Sequence, residues 1–162
     1  MSLQLVFLNY VSSTLSQTQR FFYAAERIKN EGIRPQAVLS DSSILSQKIA
    51  KQCATVFGKH VPANIEETLN YEVPIKTTAP FEIDLSAAAN FVFNGLFNIT
   101  DCGNTVMIVA RPETTLANTL QLVEKQSDAL NLEMNHALCL NFKQNRWPNI
   151  SKTEDVLDLE VL

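Results

Sequence analysis

Short apolar runs alternate along this chain with stripes of apolar residues at helical spacing. The runs cover residues 3–8, 36–39, 105–109 and 137–142, and each has the length of a strand. Helical stripes follow the first three runs. Strands that alternate with helices are typical of a mostly parallel sheet with crossover helices, so the pattern predicts an α/β protein.

The ends of the first two predicted helices are marked by polar residues and glycines. Ser16 and Gln19 match a capping box, and Gly32 is suited to end the first helix. The second helix begins after the polar turn at residues 40–43 and reaches Gly58. Its apolar stripe consists of Leu45, Ile49, Cys53 and Val56. Two junctions of this kind, each from a strand through a polar loop into a helix, support the parallel sheet.

The pattern is less regular between the second helix and the run at 105–109. It predicts a short strand at 61–65 and an extended segment at 71–77, because three prolines in this region oppose long regular elements. A third helix is predicted from a cap at Asp84 to near Asn98.

The run at 105–109 is the centre of the predicted sheet. All five residues are apolar or β-branched, which is typical of a strand buried on both faces. Pro112 is suited to open a helix directly after it, because a first helical turn leaves its amides unpaired. Arg111 therefore lies between a buried strand and a helix N-terminus, where α/β proteins usually place ligand-binding groups.

Length and composition favour one domain, residues 1–150, followed by an acidic tail at 151–162. The chain has 162 residues and is 46% hydrophobic, which is enough to build a sizeable core. The tail carries Leu and Val residues among its acids. Three arrangements are open for it: docking on a protein partner or across a homodimer, packing on its own domain, or fraying.

Charge and cysteine content argue against several classes of function. Thirteen basic and seventeen acidic residues give a formal charge of -4, which favours neither nucleic acid nor a membrane as partner. The first apolar run is too short to span a bilayer and lacks the basic start of a signal peptide, so we expect a cytoplasmic protein.

The three cysteines are far apart, which predicts a reducing compartment without a disulfide framework or a metal site. Nothing in the sequence indicates a cofactor.

Several segments carry a resemblance to a known family. The first strand enters Asn9-Tyr10-Val11, the second lies within Gly32-Ile33-Arg34-Pro35-Gln36-Ala37-Val38-Leu39-Ser40-Asp41-Ser42, and the central strand ends in Val109-Ala110-Arg111. These resemble the Arg-His-Gly motif, the Gly-Ile-Arg-Pro-Asp-Ala-Val-Leu-Ser-Ser-Pro segment and the Val-x-His ending of the histidine phosphatase superfamily. The length is similar to that of its compact SixA-like phosphohistidine phosphatases. The resemblance covers residues 3–142 and implies a phosphoglycerate mutase-like, three-layer α/β/α sandwich.

The residues that handle phosphate in that family are replaced here. The family's first histidine is the nucleophile, and two arginines and a second histidine hold the phosphate oxygens. Tyr10 and Arg111 occupy the two histidine positions, and Asn9 and Leu45 occupy the two arginine positions. A leucine donates no hydrogen bond, and a tyrosine with its unperturbed pKa of about 10 is almost entirely protonated at neutral pH.

These replacements predict a catalytically degenerate protein that acts as a binding or regulatory module. The two remaining histidines, His60 and His136, are expected away from the pocket. A phosphate-like anion is one expected ligand, and a protein partner or a second copy of the chain is the other. The candidate anion-binding residues are Arg111, Asn9, Ser12, Ser40 and Ser42.

Other interpretations remain open at this stage. Arg111 could instead pair with Glu113 or another acid and fill the vacated space. The chain could also be an active phosphatase or hydrolase with a rearranged site, in which Arg111 holds phosphate and Tyr10 or an activated water attacks. A purely structural or oligomerising domain is the third hypothesis.

Overall fold

A computed structural model of the chain describes residues 3–10, 18–66, 75–76, 82–83, 103–111, 137–142 and 156–161. Within these residues the helices are α1 (Thr18–Asn30) and α2 (Ile44–Phe57). The strands are β1 (Gln4–Asn9), β2 (Ala37–Ser40), β3 (Ala63–Ile65), β4 (Ile75–Lys76), β5 (Glu82–Ile83), β6 (Thr105–Ala110), β7 (Ala137–Phe142) and β8 (Val156–Val161).

Six of these strands form one sheet in the order β3-β2-β6-β1-β7-β8. The four strands from β3 to β1 run parallel to one another. Strand β7 pairs antiparallel with β1, and β8 pairs antiparallel with β7, so β8 again runs in the direction of β1. Strands β4 and β5 pair separately as a short antiparallel ribbon. The predicted α/β class with a mostly parallel sheet is confirmed. The helices predicted from Asp84 and from Pro112 lie outside the described residues.

The strands β1, β2, β6 and β7 in the middle of the sheet carry buried residues on both faces. Helices α1 and α2 pack against one face, where Val6, Leu8, Val38, Met107 and Val109 join one apolar cluster with the inward residues of the helices. The alternate residues of the same strands point to the other face. They are also buried, and include Leu5, Phe7, Leu39, Ile108 and Phe142. Strand β6 is therefore buried on both faces, as the sequence predicts.

The ends of α2 follow from its local sequence. The Ser43 hydroxyl accepts a hydrogen bond of 3.2 Å from the Ser46 amide, which satisfies one of the free donors of the first turn. At the other end, the Gly58 amide donates to the Ala54 carbonyl. Helix α1 ends at Asn30, two residues before the predicted terminator Gly32, whose φ is 84°. Ser16 of the predicted capping box lies outside the described residues.

The C-terminal segment differs from the sequence-based expectation. The run at 137–142 was expected to be the last strand, but β8 follows it and pairs with it along its length, with Leu159 opposite Leu140. That expectation was wrong because the acidic residues among 156–161 hid a strand pattern. Residues 156–161 therefore belong to the chain's own sheet.

Among the described residues, neither helix has the length and the apolar composition needed to cross a membrane.

Candidate functional site

The carboxyl ends of three neighbouring strands bring Tyr10, Asp41 and Arg111 to one edge of the sheet. Strand β6 lies between β1 and β2. Asn9 at the end of β1 lies opposite Ala110 at the end of β6, and the Tyr10 amide donates to the Ala110 carbonyl over 2.9 Å. Arg111 therefore leaves the sheet between Tyr10 on one side and Asp41 on the other.

The side chains of Tyr10 and Asp41 meet across the end of β6. The Tyr10 hydroxyl donates to Oδ2 of Asp41, and Oγ of Ser43 lies 3.2 Å from the same hydroxyl. Because the Tyr10 proton points to Asp41, the Ser43 hydroxyl is the donor in the second contact. Tyr10 is only 3% exposed and Asp41 only 5% exposed. A buried carboxylate thus lies where three strand ends converge.

Asp41 also shapes the turn into α2. Its Oδ1 accepts a hydrogen bond of 3.0 Å from the Ser43 amide, two residues ahead, which is the geometry of an Asx turn. Fully buried Ser46, in the first turn of α2, donates through its hydroxyl to the Val109 carbonyl over 3.4 Å. These contacts form one polar network that links β1, β6 and the start of α2.

The network keeps the Tyr10 phenol protonated. Burial raises the pKa of Tyr10 above its ordinary value of 10.0, and the hydrogen bond and negative charge of Asp41 raise it further. The hydrogen bond from Ser43 acts in the opposite direction without reversing the shift. At neutral pH the phenolate is therefore even rarer than for a free tyrosine.

The five predicted anion-binding residues are brought together only in part. Arg111 follows β6, and Ser40 ends the adjacent strand β2 opposite Val109. Ser42 is exposed on the Asp41 turn, whereas Ser40 is buried. Ser12 and the side chain of Asn9 lie outside the described part of the chain.

Arg111 is partly buried, and no hydrogen bond or ion pair joins its side chain to another described residue. Glu113, the alternative partner of Arg111, lies outside the described residues. Leu45, which the sequence resemblance matches to one of the family's arginines, packs against the apolar cluster. The described edge therefore holds one guanidinium beside a buried carboxylate, rather than a group of converging cations.

Asp41, Ser43 and Ser46 are site residues that the sequence analysis did not select. A signal is present, because Asp41 is an acid two residues beyond the predicted strand 36–39, at the edge where parallel sheets place their chemistry. The local sequence predicts only a polar turn there, since nothing local shows that a tyrosine 31 residues earlier meets Asp41.

The two histidines differ in their relation to this edge. His60 is exposed in the turn that precedes β3, at the opposite edge of the sheet, as expected from the sequence. His136 lies outside the described residues. Ala137, the next residue, begins β7 opposite Leu8 and so lies near the Tyr10 edge. The start of β7 is therefore closer to the site than the sequence suggested.

In the part of the chain that the structure describes, no three His, Cys, Asp or Glu side chains come close enough together to hold a metal ion.

Comparison by sequence gives no relatives: no family model and no curated protein matches the chain. Solved structures do match. A structure assigned to the phosphohistidine phosphatase SixA of Nakamurella multipartitia is 12% identical, with a TM-score of 0.63 over 100% of this chain and 96% of the other. Phosphoglycerate mutase from Plasmodium falciparum is 8% identical, with a TM-score of 0.61 over 100% of this chain and 89% of the other.

A third match is mycobacterial glucosyl-3-phosphoglycerate phosphatase in complex with VO3. It is 12% identical, with a TM-score of 0.61 over 99% of this chain and 96% of the other. At such low identity the likeness concerns the fold alone. It confirms the fold that the sequence resemblance predicted.

Proposed function

The chain has the phosphoglycerate mutase-like fold of the histidine phosphatase superfamily, and we propose that it is a catalytically degenerate form of this fold whose function is binding. The observation that carries the proposal is the hydrogen bond from the Tyr10 hydroxyl to the buried Asp41 carboxylate. The residue that matches the family's nucleophile is thus a proton donor, and its proton is already bound to Asp41.

Phosphoryl transfer needs a nucleophile with a free lone pair aimed at phosphorus, and donors that stabilise the charge on the transferred group. The raised pKa of Tyr10 leaves very little phenolate at neutral pH, and Leu45 supplies no donor. Among the described residues no histidine lies at this edge. The described groups therefore do not provide the nucleophile that the family uses.

The ligands that we consider are those expected from the sequence: a phosphate-like anion at Arg111, and a protein partner or second copy of the chain. Two isoleucines on the β2–β3 side of this edge are exposed, Ile44 at the start of α2 and Ile65 at the end of β3. Exposed apolar side chains beside a buried carboxylate suit contact with a protein better than capture of a phosphate group. We therefore favour the protein partner.

The proposal is tested by turnover of an aryl phosphate and of a phosphohistidine peptide by the purified protein. We expect no turnover above that of a mock purification. Arg111→Ala and His136→Ala should leave this background unchanged, and so should the matched control Arg34→Ala, whose exposed arginine lies before β2 at the opposite edge. Turnover by wild type that persists in Arg34→Ala but falls in Arg111→Ala or His136→Ala would overturn the proposal and favour an active enzyme with a rearranged site.

A further inference from the structure

The start of α2 offers the kind of donors that oxyanions bind, and Asp41 already uses one of them, the Ser43 amide. Backbone amides in a first helical turn have no intrahelical partner and attract negative charge. Here the Ser43 amide donates to Asp41 Oδ1 over 3.0 Å, and the Tyr10 hydroxyl donates to Asp41 Oδ2. The Ser46 amide is taken by the Ser43 hydroxyl. The carboxylate thus occupies, from within the chain, donors that an oxyanion would need.

We propose that Asp41 is a specificity-determining residue that excludes oxyanions from the edge formed by Tyr10, Arg111 and the start of α2. This inference rests on the proposed function, because it explains why a phosphatase fold would not retain phosphate here. The Asp41 carboxylate is itself the anion bound at this edge, because its two oxygens accept hydrogen bonds from the protein's own donors.

Burial makes the exclusion effective. Asp41 is only 5% exposed, so its charge is screened far less by water and salt than that of a surface carboxylate. A second anion beside it would meet direct repulsion and would find the nearest donors engaged. Arg111 leaves the adjacent strand end, where the Asp41 charge offsets its attraction for an external anion.

The sequence resemblance also singles out position 41 as one where the residue type differs from the family pattern. In the segment that resembles the histidine phosphatase family, the family pattern Ser-Ser-Pro is matched by Ser40-Asp41-Ser42. Serine is neutral and can donate to an oxyanion, whereas aspartate can only accept and repels it.

The test is binding of inorganic phosphate, measured by titration calorimetry on the full chain. Wild type should show no saturable binding that depends on Arg111. Asp41→Asn removes the charge with little change of shape, and Asp41→Ser restores the residue of the family pattern. Each should bind phosphate saturably, with a dissociation constant at least about tenfold below the lower limit that the wild-type titration sets, since a poorly screened unit charge beside the ligand is worth that much. Arg111→Ala in either background should abolish the gain.

The matched control is Glu31→Gln, which removes one negative charge from an exposed position beyond the C-terminal end of α1. It should leave phosphate affinity unchanged and so separates the local effect from net charge. A folded Asp41→Asn or Asp41→Ser protein without a gain overturns the inference, as does a gain that survives Arg111→Ala. If neither variant folds, wild type is compared with Arg111→Ala. Phosphate binding by wild type that is lost in Arg111→Ala overturns the inference.

The failure of this inference is distinguishable from failure of the proposed function. Turnover by wild type contradicts catalytic degeneracy, whereas unchanged affinity in a folded, inactive Asp41 variant contradicts only the role of Asp41.

Discussion

The Tyr10 hydroxyl hydrogen bonds to the Asp41 carboxylate although the two residues follow strands that are separated by β6. The contact crosses the end of the central strand, directly beside the point at which Arg111 leaves it. At this edge the Tyr10 hydroxyl, the Asp41 carboxylate and the Ser43 hydroxyl and amide are paired with one another.

Removing the Tyr10 hydroxyl should destabilise the protein. In Tyr10→Phe the buried Asp41 carboxylate loses its phenol donor and keeps only the Ser43 amide, so we expect a loss of about 1–3 kcal/mol in the free energy of unfolding. Urea unfolding measures it. Tyr23→Phe is the matched control, because Tyr23 is 65% exposed, and should change stability by less than about 0.5 kcal/mol. Equal effects in the two variants would show that the Tyr10–Asp41 bond adds nothing.

The raised pKa of Tyr10 predicts a specific loss of stability at alkaline pH. Between the unfolded value of 10.0 and the higher folded value, the unfolded chain has released the phenol proton while the folded chain retains it. The contribution of Tyr10 to the free energy of unfolding is therefore complete below about pH 10 and is lost as the pH rises through the folded pKa. Wild type should lose more stability than Tyr10→Phe over this range in urea unfolding at several pH values. The same dependence of stability on pH in both proteins would contradict the raised pKa of Tyr10.

Local patterns predicted most of the fold, because strand and helix periodicities depend on neighbours in sequence. The last two predicted strand regions illustrate this. The run at 137–142 has the observed bounds of β7, and 105–109 falls one residue short of β6. The Tyr10–Asp41 contact could not be obtained in this way, since it depends on the order β2-β6-β1 within the sheet. Strand β8 was missed for another reason: its alternating apolar and acidic residues fit a half-exposed strand, but the charge suggested a tail.

Gly103 should be less tolerant of alanine than Gly32, although both have positive φ, 79° and 84°. A Cβ at Gly103 would collide with the Gln36 side chain, which accepts a hydrogen bond of 2.5 Å from the Asn104 amide, whereas at Gly32 there is open space. Both variants incur backbone strain of about 1 kcal/mol, and Gly103→Ala should lose about 1–2 kcal/mol more. Thermal unfolding of the two variants gives the comparison. Adding Gln36→Ala to Gly103→Ala should recover part of the difference; no recovery would exclude the collision as its cause.

Cys53 should be unreactive in the folded protein. It is buried between α2 and α1, with its Sγ 3.9 Å from the Phe21 carbonyl, and burial raises its pKa to about 12. Since the thiolate is the reactive form, labelling by a disulfide reagent at pH 8 should require unfolding. Mass spectrometry of labelled peptides with and without urea identifies the site. Rapid labelling of Cys53 without denaturant would contradict the packing of the two helices.

Deleting residues 156–162 should lower stability rather than simply release a free tail. Strand β8 covers one edge of β7, so its removal leaves a row of β7 backbone groups unpaired beside the buried Leu140 and Phe142. We expect a loss of more than about 2 kcal/mol in urea unfolding, from lost hydrogen bonds and newly exposed apolar surface. The combined variant Asp158→Asn and Glu160→Gln is the control, because it removes the acidic charge but keeps the backbone ladder, and it should stay within about 1 kcal/mol of wild type. A truncated protein of unchanged stability but altered sedimentation would instead identify this segment as an oligomer contact. The relative effects of the deletion and the charge variant thus decide whether residues 156–161 act through their backbone pairing or through their charge.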